Sequence, residues 1–304
     1  MQRDVLTLTG VAKPGRALRL LVRLLRLLYG SGLRFGLGAM VVPLARHLRV
    51  LRGLCLTMDN GRSLVLDLSE PQNLPYLFYG RVPYELGEER VVRALVRAGE
   101  HVVDVGANVG WYSTMLAELV GLNGRVYAFE PNTDLVRSLT LTALEYPSLR
   151  VIAAAVGEAS GNGILRISRL LGNSSLEDST PEQIGSQVCP VVTLDGFLGT
   201  VGSPHITFVK SDTEGSEVRV LKGARRLLSS PAPPACFIEV NPYYGLVPAT
   251  LIGHFDELWH EDYSAWKIHP VSGSLLPPVF GPGVSNGLFV PKWLMPRVAE
   301  LVAK

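Results

Sequence analysis

A chain of 304 residues, 47% of them hydrophobic, can bury a sizeable core, either as one large domain with an extension or as two small domains. A formal charge of +2 gives no argument for a nucleic-acid partner. Three cysteines far apart in the chain, Cys55, Cys189 and Cys236, form neither a disulfide framework nor a zinc pattern, so buried thiols in a reducing, cytoplasmic setting are expected.

No acid stands between Asp4 and Asp59, while arginines recur there. The leucine-rich stretch from Arg16 to Leu28 places Arg16, Arg19, Arg23 and Arg26 in one stripe at about 100° per residue, opposite a wide apolar face. Two readings are open. Such a helix can lie in a membrane surface, or it can pack on the protein's own core with a solvated arginine edge. Interrupting arginines argue against a signal peptide. The glycines, Arg34 and Pro43 between Leu27 and Ala45 argue against a spanning helix. The chain thus divides into a basic helical extension (1–53), a hairpin and loop (54–83) and a main domain (84–304).

Leu54 to Leu68 reads as a hairpin around Asp59-Asn60-Gly61. The segment from Glu70 to Pro83 reads as an ordered loop whose aromatics Tyr76, Phe78 and Tyr79 pack rather than line a pocket. Helical periodicity from Tyr84 to Ala98, ended by Gly99, leads into the stretch that organises the chain.

That stretch runs His101-Val102-Val103-Asp104-Val105-Gly106-Ala107-Asn108-Val109-Gly110, then a helix, then Arg125-Val126-Tyr127-Ala128-Phe129-Glu130-Pro131. A strand–turn–helix–strand unit of this kind binds an adenosine-containing cofactor at the carboxyl ends of its strands. Glu130 stands where an acid accepts hydrogen bonds from ribose hydroxyls. The turn is Gly-x-x-x-Gly, not the glycine pattern that cradles a pyrophosphate, and Asp104 is expected to point into the ligand crevice. A carboxylate there suits a cation, which favours S-adenosylmethionine over a nicotinamide dinucleotide.

A helix over 134–146 and a continuous third strand over 149–156 follow, with a further short strand over 164–168. Ala155 and Val156 are candidates to pack on the adenine, and Glu158 to meet its amino group. Leu171 to Gln187 is polar and reads as a mobile loop, with a lid and plain disorder left open as alternatives. Thr193 is a plausible cap for a short helix, and Asp195 is given a structural role. A fourth strand, Ile206 to Lys210, releases Lys210, Asp212, Glu214 and Glu217 at its end. A fifth, Ala235 to Val240, brings Glu239 and Asn241 to the same rim. Asp212 is the first candidate to act near the methyl donor, followed by Lys210, Glu214 and Glu239. One acid serves as general base, or the set holds a divalent cation through oxygen ligands, although no metal is assigned. His205 and His269 are read as structural. A helix over 246–260 and an antiparallel pair, 265–269 and 286–290, complete the chain, and the connection over 270–287 is read as shaping the substrate mouth.

The blocks Val103 to Gly110, Phe129-Glu130-Pro131, Thr193-Leu194-Asp195 and Val209-Lys210-Ser211-Asp212-Thr213-Glu214-Gly215-Ser216-Glu217 resemble the FkbM-type S-adenosylmethionine-dependent methyltransferases over roughly residues 84 to 241. The resemblance implies an α/β class I methyltransferase fold: a Rossmann-like, mostly parallel seven-stranded sheet with helices on both faces. The residues expected to contact the cofactor are Asp104, Gly106, Ala107, Asn108, Gly110, Glu130, Pro131, Val156, Glu158 and Asp212. The resemblance also implies O-methylation of a hydroxyl on a sugar, glycolipid or polyketide-type molecule. A glycolipid acceptor would suit membrane contact through residues 16–52. The alternatives are a non-catalytic binding module and a nicotinamide-dependent oxidoreductase.

Overall fold

The computed structural model describes residues 15–30, 37–82, 85–168, 174–177, 182–241, 253, 263–280 and 283–303. The expected helix over 246–260 lies outside these, apart from residue 253.

Helices α1 (Arg16–Gly30) and α2 (Leu37–His47) come first, followed by the hairpin of β1 (Leu54–Thr57) and β2 (Ser63–Leu66). The expected loop after it is helical instead, with α3 spanning Leu74–Tyr79. Its prolines, Pro71 and Pro75, sit in the first turns of short helices, where a missing N–H costs no intrahelical bond, and Gly80 closes α3 at φ 65°. Helix α4 (Leu86–Leu95) then delivers the chain to β3 (His101–Val105), α5 (Trp111–Val120), β4 (Arg125–Phe129), α6 (Thr133–Ala143) and β5 (Leu149–Ile152).

The third strand is not continuous. Ala154 N–H bonds back to Ile152 O, and the chain leaves the sheet edge to form β6 (Ala155–Val156). There it joins β7 (Gly161–Ser168) and β8 (Gln183–Val192) in a separate three-stranded sheet. Residues 183–187, read as loop, are therefore strand. Beyond α7 (Leu194–Thr200) come β9 (Ile206–Ser211), α8 (Glu217–Lys222), α9 (Arg225–Leu228), β10 (Ala235–Val240), β11 (Tyr263–Ile268), β12 (Leu275–Leu276) and β13 (Ser285–Pro291).

The main sheet has the order β12-β11-β13-β10-β9-β3-β4-β5. It contains eight strands rather than the expected seven, because the two-residue β12 pairs with the edge of β11. Strands β10, β9, β3, β4 and β5 are parallel, and β13 runs antiparallel between β10 and β11. Strand succession reverses direction between β3 and β9, the switch point where open α/β sheets bind ligands.

Alternation along the strands splits the interior into two cores. Val102, Val126, Phe208 and Phe237 face α4, α5 and α6, whereas Val103, Tyr127, Val209 and Ile238 face α7, α8 and α9. Asp104, Lys210 and Glu239 fall on the first face by the same count. The hairpin belongs to that core as well: Val65 N–H bonds Thr142 Oγ1 at 2.9 Å and Ser63 N–H bonds the Tyr146 hydroxyl at 2.9 Å, tying β2 to α6 and to the segment just after it.

Helix α1 is seated on α3. Of its four arginines, Arg16, Arg19 and Arg23 are exposed, but Arg26 turns inward. Its guanidinium donates to Leu77 O at 2.9 Å, Tyr76 O at 3.2 Å and Thr57 O at 3.1 Å, and pairs with Asp59 at 3.4 Å. The stripe is therefore divided between solvent and protein. Among the described residues no helix is long and apolar enough to cross a membrane.

Candidate active site

The turn after β3 needs residues that tolerate a left-handed backbone: Gly106 has φ 77°, Asn108 52° and Gly110 92°. Gly106 and Ala107 donate their N–H groups to Phe129 O at 3.0 and 2.9 Å, which locks the turn to the end of β4. Glu130 completes the lock. Its Oε2 accepts from Asn108 N–H at 2.8 Å and its Oε1 from Asn132 N–H at 2.9 Å. Burial pushes this carboxyl up to about 7, against the two backbone donors, which pull it down.

These elements open onto a cavity of about 420 Å³. Its apolar lining includes Pro131, Leu135, Ala155, Val156 and Leu165. Its charged lining comprises Glu85, Glu130, Lys210, Asp212, Glu214 and Glu239, and Gly106 also lines it. Ser174, Ser175 and Leu176, from the segment read as a mobile loop, form part of the wall, and Ser175 Oγ donates to Glu214 O at 2.6 Å. None of the described residues of the 270–287 connection lines it.

Lys210 organises the charged lining. It is buried on β9, 3.0 Å from Asp212 Oδ2 and 3.7 Å from Asp104 Oδ1, with its ammonium 5.0 Å from the centre of the Tyr112 ring. Burial lowers its pKa, but the surrounding carboxylates outweigh burial and leave it raised. Burial also pushes Glu85 and Glu214 up to about 8 and Glu239 up to about 10, with neighbouring acids adding to each. Glu217 is the exception in role: it accepts from Thr213 N–H at 2.6 Å and Gly215 N–H at 3.0 Å, folding the loop before α8.

The expected site residues are thus brought together with three departures. Asp104 is fully buried behind the cavity. It accepts from Ser113 Oγ at 2.6 Å and faces Lys210, because the ladder pairs residues 104 and 210 directly. Gly110 meets Leu139 of α6 rather than the cavity. Glu158 is at the surface, 3.5 Å from Lys222, because the break after β5 turns the chain away past β6. Thr193 caps α7 through Gly196 N–H at 3.0 Å, and Asp195 accepts from Arg226 and Leu227 N–H at 2.8 and 3.0 Å, so its role is to hold α9. His205 bonds Ala232 O at 3.0 Å, away from the cavity.

Sequence reading missed several wall residues. Tyr76, treated as packing, lines the cavity 5.5 Å from the Trp111 ring. Glu85 lines it too, and Glu88 behind it accepts from Tyr112 OH at 2.8 Å and Asn286 Nδ2 at 2.7 Å. Both acids stand at the start of α4, where acids are ordinary, so no local signal distinguished them.

The sequence pattern described as Methyltransferase FkbM domain matches residues 104–263. The chain belongs to the FkbM methyltransferase family. A nicotinamide oxidoreductase is thereby set aside. This FkbM methyltransferase is 31% identical over 167 residues to the hexuronic acid methyltransferase AglP of Haloferax volcanii, covering 53% of this chain and 65% of that protein. It is 29% identical over 107 residues to a protein-L-isoaspartate O-methyltransferase of Ignicoccus hospitalis, covering 31% of this chain and 49% of that one. The chain therefore spans less than two-thirds of either relative's length. Among solved structures, a SAM dependent methyltransferase from Aquifex aeolicus aligns over 67% of this chain and 89% of its own, at 12% identity and a TM-score of 0.38.

Proposed function

We propose that this FkbM methyltransferase uses S-adenosylmethionine to methylate a hydroxyl of a sugar or glycolipid. The observation that carries this reading is Glu130: a buried carboxylate fixed by two backbone N–H groups, on the wall of a cavity that apolar residues and further acids also line. The residues fit the cofactor. Ala155, Val156 and Leu165 suit an adenine, Glu130 suits ribose hydroxyls, and Glu85, with an unpartnered carboxyl oxygen, suits the amino group. When bound, S-adenosylmethionine supplies a methyl group on a leaving sulfonium, so the protein's own task is alignment and proton removal. Alignment alone can contribute about 7–11 kcal/mol. Asp212, with its side chain 37% exposed and held by Lys210, is the acceptor we propose for the hydroxyl proton. The sugar class follows the hexuronic acid relative, and the hydroxyl follows the acids at the rim.

Calorimetry with S-adenosylmethionine and with NAD, followed by transfer of labelled methyl to hexuronic acids and glycolipids, tests the reading. Binding of the first ligand with methyl transfer is expected. Binding without transfer to any acceptor would leave a non-catalytic module, and absence of binding would defeat the site.

For the glycolipid form of the acceptor, the supporting observation is α1. It leaves Leu20 68% and Leu27 71% exposed, with Leu21 and Leu24 beside them and Arg16, Arg19 and Arg23 alongside. Apolar side chains flanked by arginines suit an anionic lipid surface. Sedimentation with phosphatidylserine-containing vesicles is expected to carry the full chain down, and replacement of Leu20, Leu24 and Leu27 by serine to abolish it. Equal partition of both proteins would remove the membrane contact.

A further inference from the structure

We propose that the acids at the ends of β9 and β10 form a binding site for one hard divalent cation of the magnesium, manganese or calcium class, beside the cofactor cavity. Asp212, Glu214 and Glu239 each offer a carboxylate oxygen, and these oxygens all lie within 4.8 Å of one another. Ligand distances of about 2.1–2.6 Å to such an ion allow one cation to bridge a span of this size with small side-chain rotations.

The stronger observation is Glu239. It is only 8% exposed, yet its Oε2 is fully buried and has no hydrogen-bond partner among the described residues. A buried acceptor left unpaired costs on the order of 1–3 kcal/mol, and more when charged. Two further carboxyl groups stand beside it.

The local cation does not answer this demand. Lys210 is the single basic side chain among the described cavity-lining residues, and its ammonium is directed to Asp212 Oδ2 at 3.0 Å and Asp104 Oδ1 at 3.7 Å. Beyond Lys210, Glu85 also leaves Oε2 buried and unpartnered. The wall therefore holds more acid than one lysine neutralises. An oxygen-only set with no histidine or cysteine among its three members selects a hard ion over zinc or copper. Asn241, which donates to Glu214 Oε2 at 3.2 Å, orients that carboxylate.

The consequence builds on the methyltransferase reading. A divalent ion at these acids would bind the acceptor's hydroxyl oxygens, favouring vicinal diols, and would make the reacting hydroxyl easier to deprotonate, taking over the part given above to Asp212, which is then a ligand.

Direct binding can be read without any turnover. Manganese(II) is titrated into the chelator-treated full chain, and the free ion is followed by electron paramagnetic resonance. One ion per chain is expected, displaced by magnesium or calcium. Glu239→Gln and Glu214→Gln are each expected to weaken it about tenfold or more, while Glu158→Gln, at the surface, leaves it unchanged. Circular dichroism identifies folded variants, and either of the two cavity variants suffices. Absence of a stoichiometric site in the wild type, or equal affinity in a folded Glu239→Gln or Glu214→Gln protein, overturns the proposal. Calorimetry with S-adenosylmethionine on the same chelated sample separates the two readings. Retained cofactor binding without a manganese site removes the cation alone.

Discussion

The carbonyl oxygen of Asp212 lies over Gly106 so closely that a Cβ built on the glycine would meet it at 1.8 Å. Asp212 N–H also bonds Val105 O at 3.1 Å, so the β9 exit loop is laid directly on the cofactor turn. The chemistry-bearing loop and the glycine turn are thereby one rigid unit, which fixes the acids relative to Glu130.

Gly106→Ala combines a positive φ with a backbone clash that no side-chain rotation relieves. It is expected to cost about 3 kcal/mol or more in urea unfolding and to displace the Asp212 loop. A loss below about 1 kcal/mol would mean that the two loops are not locked together.

Glu130→Ala is expected to weaken S-adenosylmethionine binding more than about tenfold, or about 1.4 kcal/mol, in calorimetry. The ionised carboxylate is the form that accepts from hydroxyl groups. Since burial raises it to about 7, wild-type affinity should decline as the pH falls through that value. Glu130→Gln should lack this step.

Stability of the ligand-free protein should fall with rising pH. Glu130 and Glu217 are raised to about 7 and Glu85 and Glu214 to about 8, all from 4.5. The folded state therefore holds protons that the unfolded chain releases. The stabilisation is full below about pH 4.5 and is lost as these groups ionise up to about pH 8. Urea midpoints at about pH 8.5 should lie below those at about pH 5.5, and Glu85→Gln should shrink the difference. A midpoint that rises over this range would contradict the burial of these acids.

Arg26→Ala should release α1 from α3, since three carbonyls and Asp59 lose their donor. Proteolysis within residues 15–30 should accelerate, while Arg19→Ala, at an exposed position, should change nothing. Equal cleavage in both variants would show that α1 is held by its apolar contacts alone.

Asp195→Ala removes the acceptor for two N–H groups at the start of α9 and should cost about 1 kcal/mol, with cofactor affinity unchanged. A large loss of affinity would assign this residue a role in the site.

The parallel strands, the glycine turn and the acid ending β4 were legible in the sequence because each is a local pattern: an apolar run, two glycines, a carboxylate at fixed spacing. The Thr193 cap and the β1–β2 turn were legible for the same reason. The prolines after Glu70 were misleading, since a proline that breaks a helix interior also suits its first turn.

What tertiary structure alone decided was which acids share a space. Glu85 precedes Asp212 by more than a hundred positions, yet both line one cavity. Parallel pairing set Asp104 against Lys210, which moved the aspartate from ligand-facing to a buried partner of the lysine. Departure of the chain after Ile152 carried Glu158 to the surface while leaving Val156 in the wall. Strand pairing and edge departures depend on contacts between distant segments, so residue type and spacing within one segment identify the chemistry available but not the side chains that meet.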